Sequence, residues 1–175
     1  MIDTASMTAP NTIATPLKDI TAYVPVDDRL ATSGQPTVAQ FKDIATAGFL
    51  TVINLGLPTS TGALSDEQQT VESNGMEYIA IPVPFEAPAR EHYFRFETEL
   101  RTRRDRRVWV HCAMNYRVTS FLAVYRMRIL GWSRRDAFAS VNKVWEPDQV
   151  WARWTDDCLN ATNETSAPST PLPTA

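Results

Sequence analysis

Short strand patterns take turns with helical ones along most of this chain, and that alternation limits the available folds more than any other feature. "RLATSG" (29–34) reads as a strand ending in a turn, and Thr37 with Gln40 as a capping box opening the helix "VAQFKDIATA", which Gly48 closes. "FLTVINL" (49–55) is short, β-branched and apolar nearly throughout, the pattern of a strand buried on both faces. After the loop "GLPTSTGAL", Ser65 with Gln68 predicts a second capping box and a short helix ending before Gly75. "MEYIAIPV" is the next strand. The proline-interrupted loop "PFEAPA" leads into a helix from Arg90 to about Arg103, followed by the strand "RVWV". A helix "RVTSFLAVYRMRIL" closes at Gly131, Ser133 caps "RRDAFASVNKVW", and Pro147 is expected to start the helix "DQVWARWTDDCL". Strands joined through helices cannot pair as hairpins. The expected fold is therefore α/β and three-layer, with a central, mostly parallel sheet of four to five strands and helices on both faces.

Length and composition agree with one domain. Of the 175 residues, the Thr/Ala/Pro-rich start and the Ser/Thr/Pro-rich end have little to bury. Residues 1–18 and 159–175 are thus expected to be disordered tails around a single domain, 19–158. No apolar run approaches the roughly 20 residues that span a bilayer, and there is no basic-then-apolar start of the signal-peptide kind. Cys112 and Cys158 are the only cysteines, too few for a disulfide framework. A cytoplasmic protein with reduced thiols is expected, with Cys158 serving only packing.

The whole-chain charge of −3 hides an asymmetry: from Arg90 to Arg135 there are twelve Arg, no Lys and four acids, a local balance of +8. A basic half around one site suits an anionic ligand. The run "RTRRDRR" (101–107) also reads simply as a solvated helix end. No recognition motif or aromatic platform accompanies these arginines, so nucleic acid is not expected as a partner. Nothing in the pattern sets an oligomeric state.

Chemistry concentrates in "VHCAMNYR" (110–117). Parallel sheets bind ligands beyond the carboxyl ends of their strands, and this loop follows such an end. With Cys112 ending the strand and Arg117 opening the helix, the amides from Ala113 through Met114, Asn115 and Tyr116 to Val118 would curl around one point. Such a nest binds anions and favours thiolate over thiol. Arg117 adds a forked donor that grips two oxygens of a tetrahedral oxyanion. His111 can orient the local backbone or be a satisfied core residue. Asn115 sits mid-loop, where a left-handed residue is often needed. A strand-to-helix turn that merely happened to hold these residues would treat Cys112 as a small buried hydrophobe.

"VHCAMNYR" resembles the His-Cys…Arg signature of the cysteine-dependent phosphatases, and the order of elements resembles their small dual-specificity branch. "TSGQPTVAQFKDIATAGFLTVINL" is similar to the opening of a phosphatase-like domain also found fused to persulfide dioxygenase or metallo-hydrolase domains. The resemblance covers roughly residues 28–156. It implies that Cys112 attacks phosphorus, Arg117 holds the equatorial oxygens and an acid on a neighbouring loop protonates the leaving oxygen. The substrate is then a phosphorylated or other small oxyanion, with no cofactor and no metal.

Three departures accompany the resemblance. Four residues rather than the family's five separate Cys112 from Arg117; Val118 stands where the family has Ser or Thr, with Thr119 one place late; and Glu86 replaces the usual Asp as the only acid in "PFEAPA". Asp66 and Glu67, after the "INL" strand, are the other candidate acids. A six-residue loop from Cys to Arg also resembles that of rhodanese-type sulfurtransferases, with Asn115 in the place of their Gly. In that reading Cys112 carries a persulfide and no general acid is required. A non-catalytic binder of a phosphorylated ligand is the third reading.

Overall fold

The computed structural model describes residues 15–161. The expected tails at 1–14 and 162–175 lie outside the described residues. The 3-10 turn Thr15–Asp19 straddles the boundary read between tail and domain, and Leu17 on its tail side is buried among Ile20, Phe41 and Phe49.

The elements run β1 (Val24–Pro25), β2 (Leu30–Ser33), α1 (Val38–Thr46), β3 (Thr51–Asn54), α2 (Glu67–Ser73), β4 (Glu77–Ala80), α3 (Arg90–Thr102), β5 (Val108–His111), α4 (Tyr116–Leu130), α5 (Arg134–Val141) and α6 (Gln149–Asn160). The sheet order is β1-β2-β5-β3-β4. Strands β2, β5, β3 and β4 are mutually parallel, and only the two-residue β1, which no sequence pattern announces, pairs antiparallel, at the β2 edge. The expected three-layer, mostly parallel α/β architecture is the one observed.

Register brings the strand ends into line. His111 pairs with Ser33 of β2 on one side and Asn54 of β3 on the other, and Asn54 pairs with Ala80 of β4. The chain therefore leaves all four parallel strands at one edge, and β5 in the middle carries its outgoing loop to the centre of that edge.

The period-2 alternation of β5 feeds both cores. Val108, Val110 and then Cys112 face the layer of α3, α4 and α6, packed with Phe96, Phe121 and Trp151. Trp109 faces the other layer, stacked on Tyr23 at 5.5 Å and edge-on to Phe49 at 5.0 Å, with its indole N–H donating to Ser33 Oγ. Truncating so enclosed a ring typically costs about 3–5 kcal/mol. Helix α4 is buried continuously from Arg117 to Val124, because the sheet lies on one side and α5, through Ala137 and Val141, on another.

The local signals hold in part. Thr37 and Gln40 form the reciprocal capping box of α1, and Ser133 caps α5. Gly131 ends α4 in the left-handed conformation. The second capping box does not form: α2 begins at Glu67 with Asp66 as its N-cap and no side-chain cap, because Glu67 is drawn inward by the buried contacts described below. Helix α6 starts two residues after Pro147, capped by Asp148, whose carboxylate accepts from the Trp151 amide.

Candidate active site

Asn115 shapes the loop between β5 and α4. Its backbone is left-handed, φ 65° and ψ 4°, and it is fully buried. Its amide Nδ2 donates to Ala22 O at 2.8 Å and Thr32 Oγ1 at 3.0 Å, reaching across the sheet edge instead of turning back on its own helix. The N-cap side chain of α4 thus caps nothing. The first amides of a helix have no earlier turn to donate to, and no side-chain cap takes them here.

The turn after β2 braces the loop from one side. Gly34 bridges Met114, and the Gln35 amide donates to Ala113 O at 3.0 Å. A Cβ on Gly34 would fall 2.6 Å from that same oxygen, which accounts for the glycine in "SGQP". On the other side, Gly56 after β3 packs near the Cys112 backbone.

Cys112 and Arg117 line one cavity of about 510 Å³, together with Leu57 and Thr59–Thr61 from the loop after β3, Pro84–Ala87 from the loop after β4, and Ala113, Met114 and Tyr116. Arg117 is 7% exposed, and its Nε has no hydrogen-bond partner. Among the described residues no carboxylate pairs with it. Its guanidinium carbon sits 5.3 Å from the centre of the Phe85 ring. Phe85 is held in turn by the Trp151 indole, which donates to its carbonyl oxygen at 3.1 Å, and Tyr116 stacks on Trp145 at 4.9 Å. These contacts make one wall of the cavity aromatic.

The three candidate acids separate cleanly. Glu86 is exposed and lines the cavity; Asp66 is exposed but does not line it. Glu67 is 4% exposed and turned to the opposite side of the sheet, where its carboxylate accepts from Gln35, Asn54 and Tyr78. Burial alone would raise its pKa, but the His111 contact and the donated hydrogen bonds outweigh it and hold the carboxyl below the ordinary range. The expectation that Glu67 could serve as the acid is corrected by this enclosure.

His111 also faces away from the cavity. It is fully buried, edge-on to Phe41, with Nε2 at 3.2 Å from Glu67 Oε1, a contact off-line for a good hydrogen bond, and Nδ1 without a partner. Val118 packs into the core beside Cys112, and the hydroxyl of Thr119 donates to Tyr116 O at 3.1 Å, so neither offers a hydroxyl to the loop.

The basic half does not gather around the site. The run 101–107 precedes Val108, at the far end of β5 from the loop. There Arg103 pairs with Glu77 and Glu99, each at 2.5 Å, and Arg107 lies over Phe49 and donates to Ala47 O. Arg117 alone of the run from Arg90 to Arg135 lines the cavity. The wall residues Leu57, Thr59, Ser60, Thr61 and Phe85 were not singled out from sequence. Their signal was position: loops leaving parallel strands at one edge share a crevice.

A mostly parallel sheet whose central strand ends in a Cys-to-Arg loop at an uncapped helix start matches the fold of the cysteine-based tyrosine and dual-specificity phosphatases, and comparison bears out the fold. The chain is similar to a phosphatase-like protein (DUF442) from Shewanella putrefaciens CN-32, at 28% identity and TM-score 0.73 over 82% of this chain and 94% of that one. It shares its fold with Tk-PTP in the active form (22% identity, TM-score 0.69, 81% and 98% of the two chains). PTPMT1 in complex with PI(5)P shares the fold too (14% identity, TM-score 0.67, 78% and 94%). No family model and no curated protein sequence matches the chain.

Proposed function

We propose that the protein hydrolyses phosphate monoesters through the thiolate of Cys112. One observation carries the reading: Arg117 is buried with no carboxylate partner among the described residues, beside Cys112 in one cavity, at a helix start whose cap is turned away. A buried guanidinium is costly unless an anion meets it, so this arrangement favours a ligand that brings its own negative charge. The cavity presents this single unpaired cation, which suits one phosphoryl group on an otherwise uncharged body.

The Cys112 thiolate attacks phosphorus while the bond to the leaving oxygen breaks, and Glu86 gives its proton to that oxygen. Arg117 and the amides from Ala113 to Val118 hold the remaining oxygens as charge develops on them. Water then attacks the phosphorus of the phosphocysteine, the Glu86 carboxylate takes its proton, and the P–S bond breaks to release inorganic phosphate and restore the Cys112 thiolate. Such a nucleophile works in a reducing compartment, in keeping with a cytoplasmic protein. The PI(5)P complex of PTPMT1 and the phosphotyrosine complex of TpbA from P. aeruginosa support an oxyanion substrate for this fold.

Turnover of an aryl phosphate, measured beside thiosulfate plus cyanide, tests the reading. The parent should release phosphate, and Cys112→Ser should release none. Turnover of thiosulfate but not of phosphate would make the protein a sulfurtransferase, a reading that the four-residue gap favours. Oxyanion binding without turnover of either, unchanged in Cys112→Ser, would make it a non-catalytic binder.

A further inference from the structure

Behind the loop, on the face of the sheet that carries α1 and α2, the carboxylate of Glu67 joins groups from every parallel strand. Its Oε1 accepts from Asn54 Nδ2 of β3 at 2.6 Å and from the Tyr78 hydroxyl of β4 at 3.0 Å, and His111 Nε2 of β5 lies 3.2 Å away. Its Oε2 accepts from Gln35 Nε2, just beyond β2.

Three of these four partners touch the anion-binding loop or its flank directly. Gln35 holds Ala113 O through its backbone amide, at 3.0 Å. Asn54 Oδ1 accepts from the Gly56 amide at 2.6 Å, fixing the turn that packs near the Cys112 backbone. His111 precedes Cys112 in the chain, and its carbonyl accepts from Leu55 N at 2.8 Å. Tyr78 is the exception: it reaches the loop only through Glu67 and Asn54.

We infer that Glu67 is a positioning residue, which sets the anion-binding loop from behind by gathering the ends of the four parallel strands onto one carboxylate. The inference rests on the reading of Cys112 and Arg117 as an oxyanion site. The chemistry requires a carboxylate. Gln35, Asn54 and Tyr78 each bring a proton to Glu67, and only a group that accepts on both oxygens and donates from neither meets all of them. An amide of the same shape would point N–H groups at a neighbouring donor.

A role confined to the fold would lower stability and leave the loop's affinity intact, so affinity must be read beside stability. Vanadate affinity follows from the rise in melting temperature with vanadate concentration, and kcat and KM are measured with an aryl phosphate. In Glu67→Gln the vanadate Kd should rise, and kcat should fall, by about tenfold or more, as small misplacements of a reacting geometry do. Exchanging the two groups, in Asn54→Asp with Glu67→Gln, returns one carboxylate and one amide to the cluster and should recover most of that loss. Tyr78→Phe conserves volume and acts only through the cluster. It keeps the test open should Glu67→Gln fail to fold, and should weaken vanadate by about threefold through the lost hydrogen bond.

A fall in melting temperature with vanadate Kd and kcat both within about twofold of the parent would overturn the inference, as would an unchanged Tyr78→Phe where Glu67→Gln does not fold. A parent that neither binds vanadate nor turns over phosphate is a separate failure. It overturns the oxyanion site itself, and the inference with it.

Discussion

Replacing Gly34 by Ala would place a methyl carbon where the loop leaves no room. The added Cβ falls 2.6 Å from Ala113 O and 2.9 Å from Thr21 Cγ2. The closest comfortable carbon–oxygen approach is about 3.3 Å, so turn and loop must part by about 0.7 Å. The methyl of Thr21 can turn aside; the Ala113 oxygen is backbone, tied to the same turn by the Gln35 amide. Overpacking of this kind costs about 1–3 kcal/mol. A displacement approaching 1 Å at a reacting centre costs up to about a hundredfold in rate, so turnover of an aryl phosphate should fall by about ten- to a hundredfold. Gly131→Ala is the control. Its φ of 69° also penalises a side chain, by about 1 kcal/mol, but nothing lies within 4 Å of the added carbon. Urea midpoints should fall for both variants, and turnover and vanadate affinity only for Gly34→Ala. If Gly34→Ala keeps turnover within about twofold of the parent, or Gly131→Ala loses as much, the close approach does not set the loop.

Arg117→Lys should lose most of the melting-temperature gain that phosphate or vanadate gives the parent, and about a hundredfold in turnover, because an ammonium cannot grip two oxygens at once; equal stabilisation of both proteins by the anion refutes the assignment. Glu86→Gln should slow hydrolysis of an alkyl phosphate by about a hundredfold or more while sparing an activated aryl ester, since only the poor leaving group needs the proton; parallel losses on both esters would remove Glu86 as the acid. Burial, opposed by the nearby Arg128 charge, pushes the Cys158 thiol from 9.0 up to about 12. The unfolded chain therefore ionises first: this stabilisation is complete below about pH 9 and is lost as pH climbs toward about 12. Urea midpoints measured across that window should decline less steeply in Cys158→Ala than in the parent, and equal slopes would refute the linkage.

Much of the architecture was legible along the chain because it rests on local physics. Alternating apolar runs and helical periods marked β2 to β5 and the helices; the Thr37–Gln40 box and Gly131 placed helix ends; a loop from Cys112 to Arg117 after a buried strand marked the site. Even the left-handed turn at Asn115 followed from what an Asn backbone tolerates. Where the local signal was cut by a distant contact, it failed. Ser65 and Gln68 spell a capping box, but Glu67 is pulled into the core by partners as far away in sequence as Gln35, and α2 starts without it.

Composition alone suggested arginines massed around the loop. The tertiary structure puts the 101–107 run at the opposite end of β5, where Glu77 and Glu99 take up Arg103. Three acids were candidates on paper, Glu86 the first of them, and only packing separates Glu86 at the cavity from Glu67 behind the sheet. The sequence by itself determined which segments form strands and helices and which residues could bind an anion, because those depend on neighbours within a few positions. Which groups face one another, across separations such as Asn115 to Thr32, was decided by the parallel register, which brings four strand ends to one edge and turns alternate residues to opposite faces.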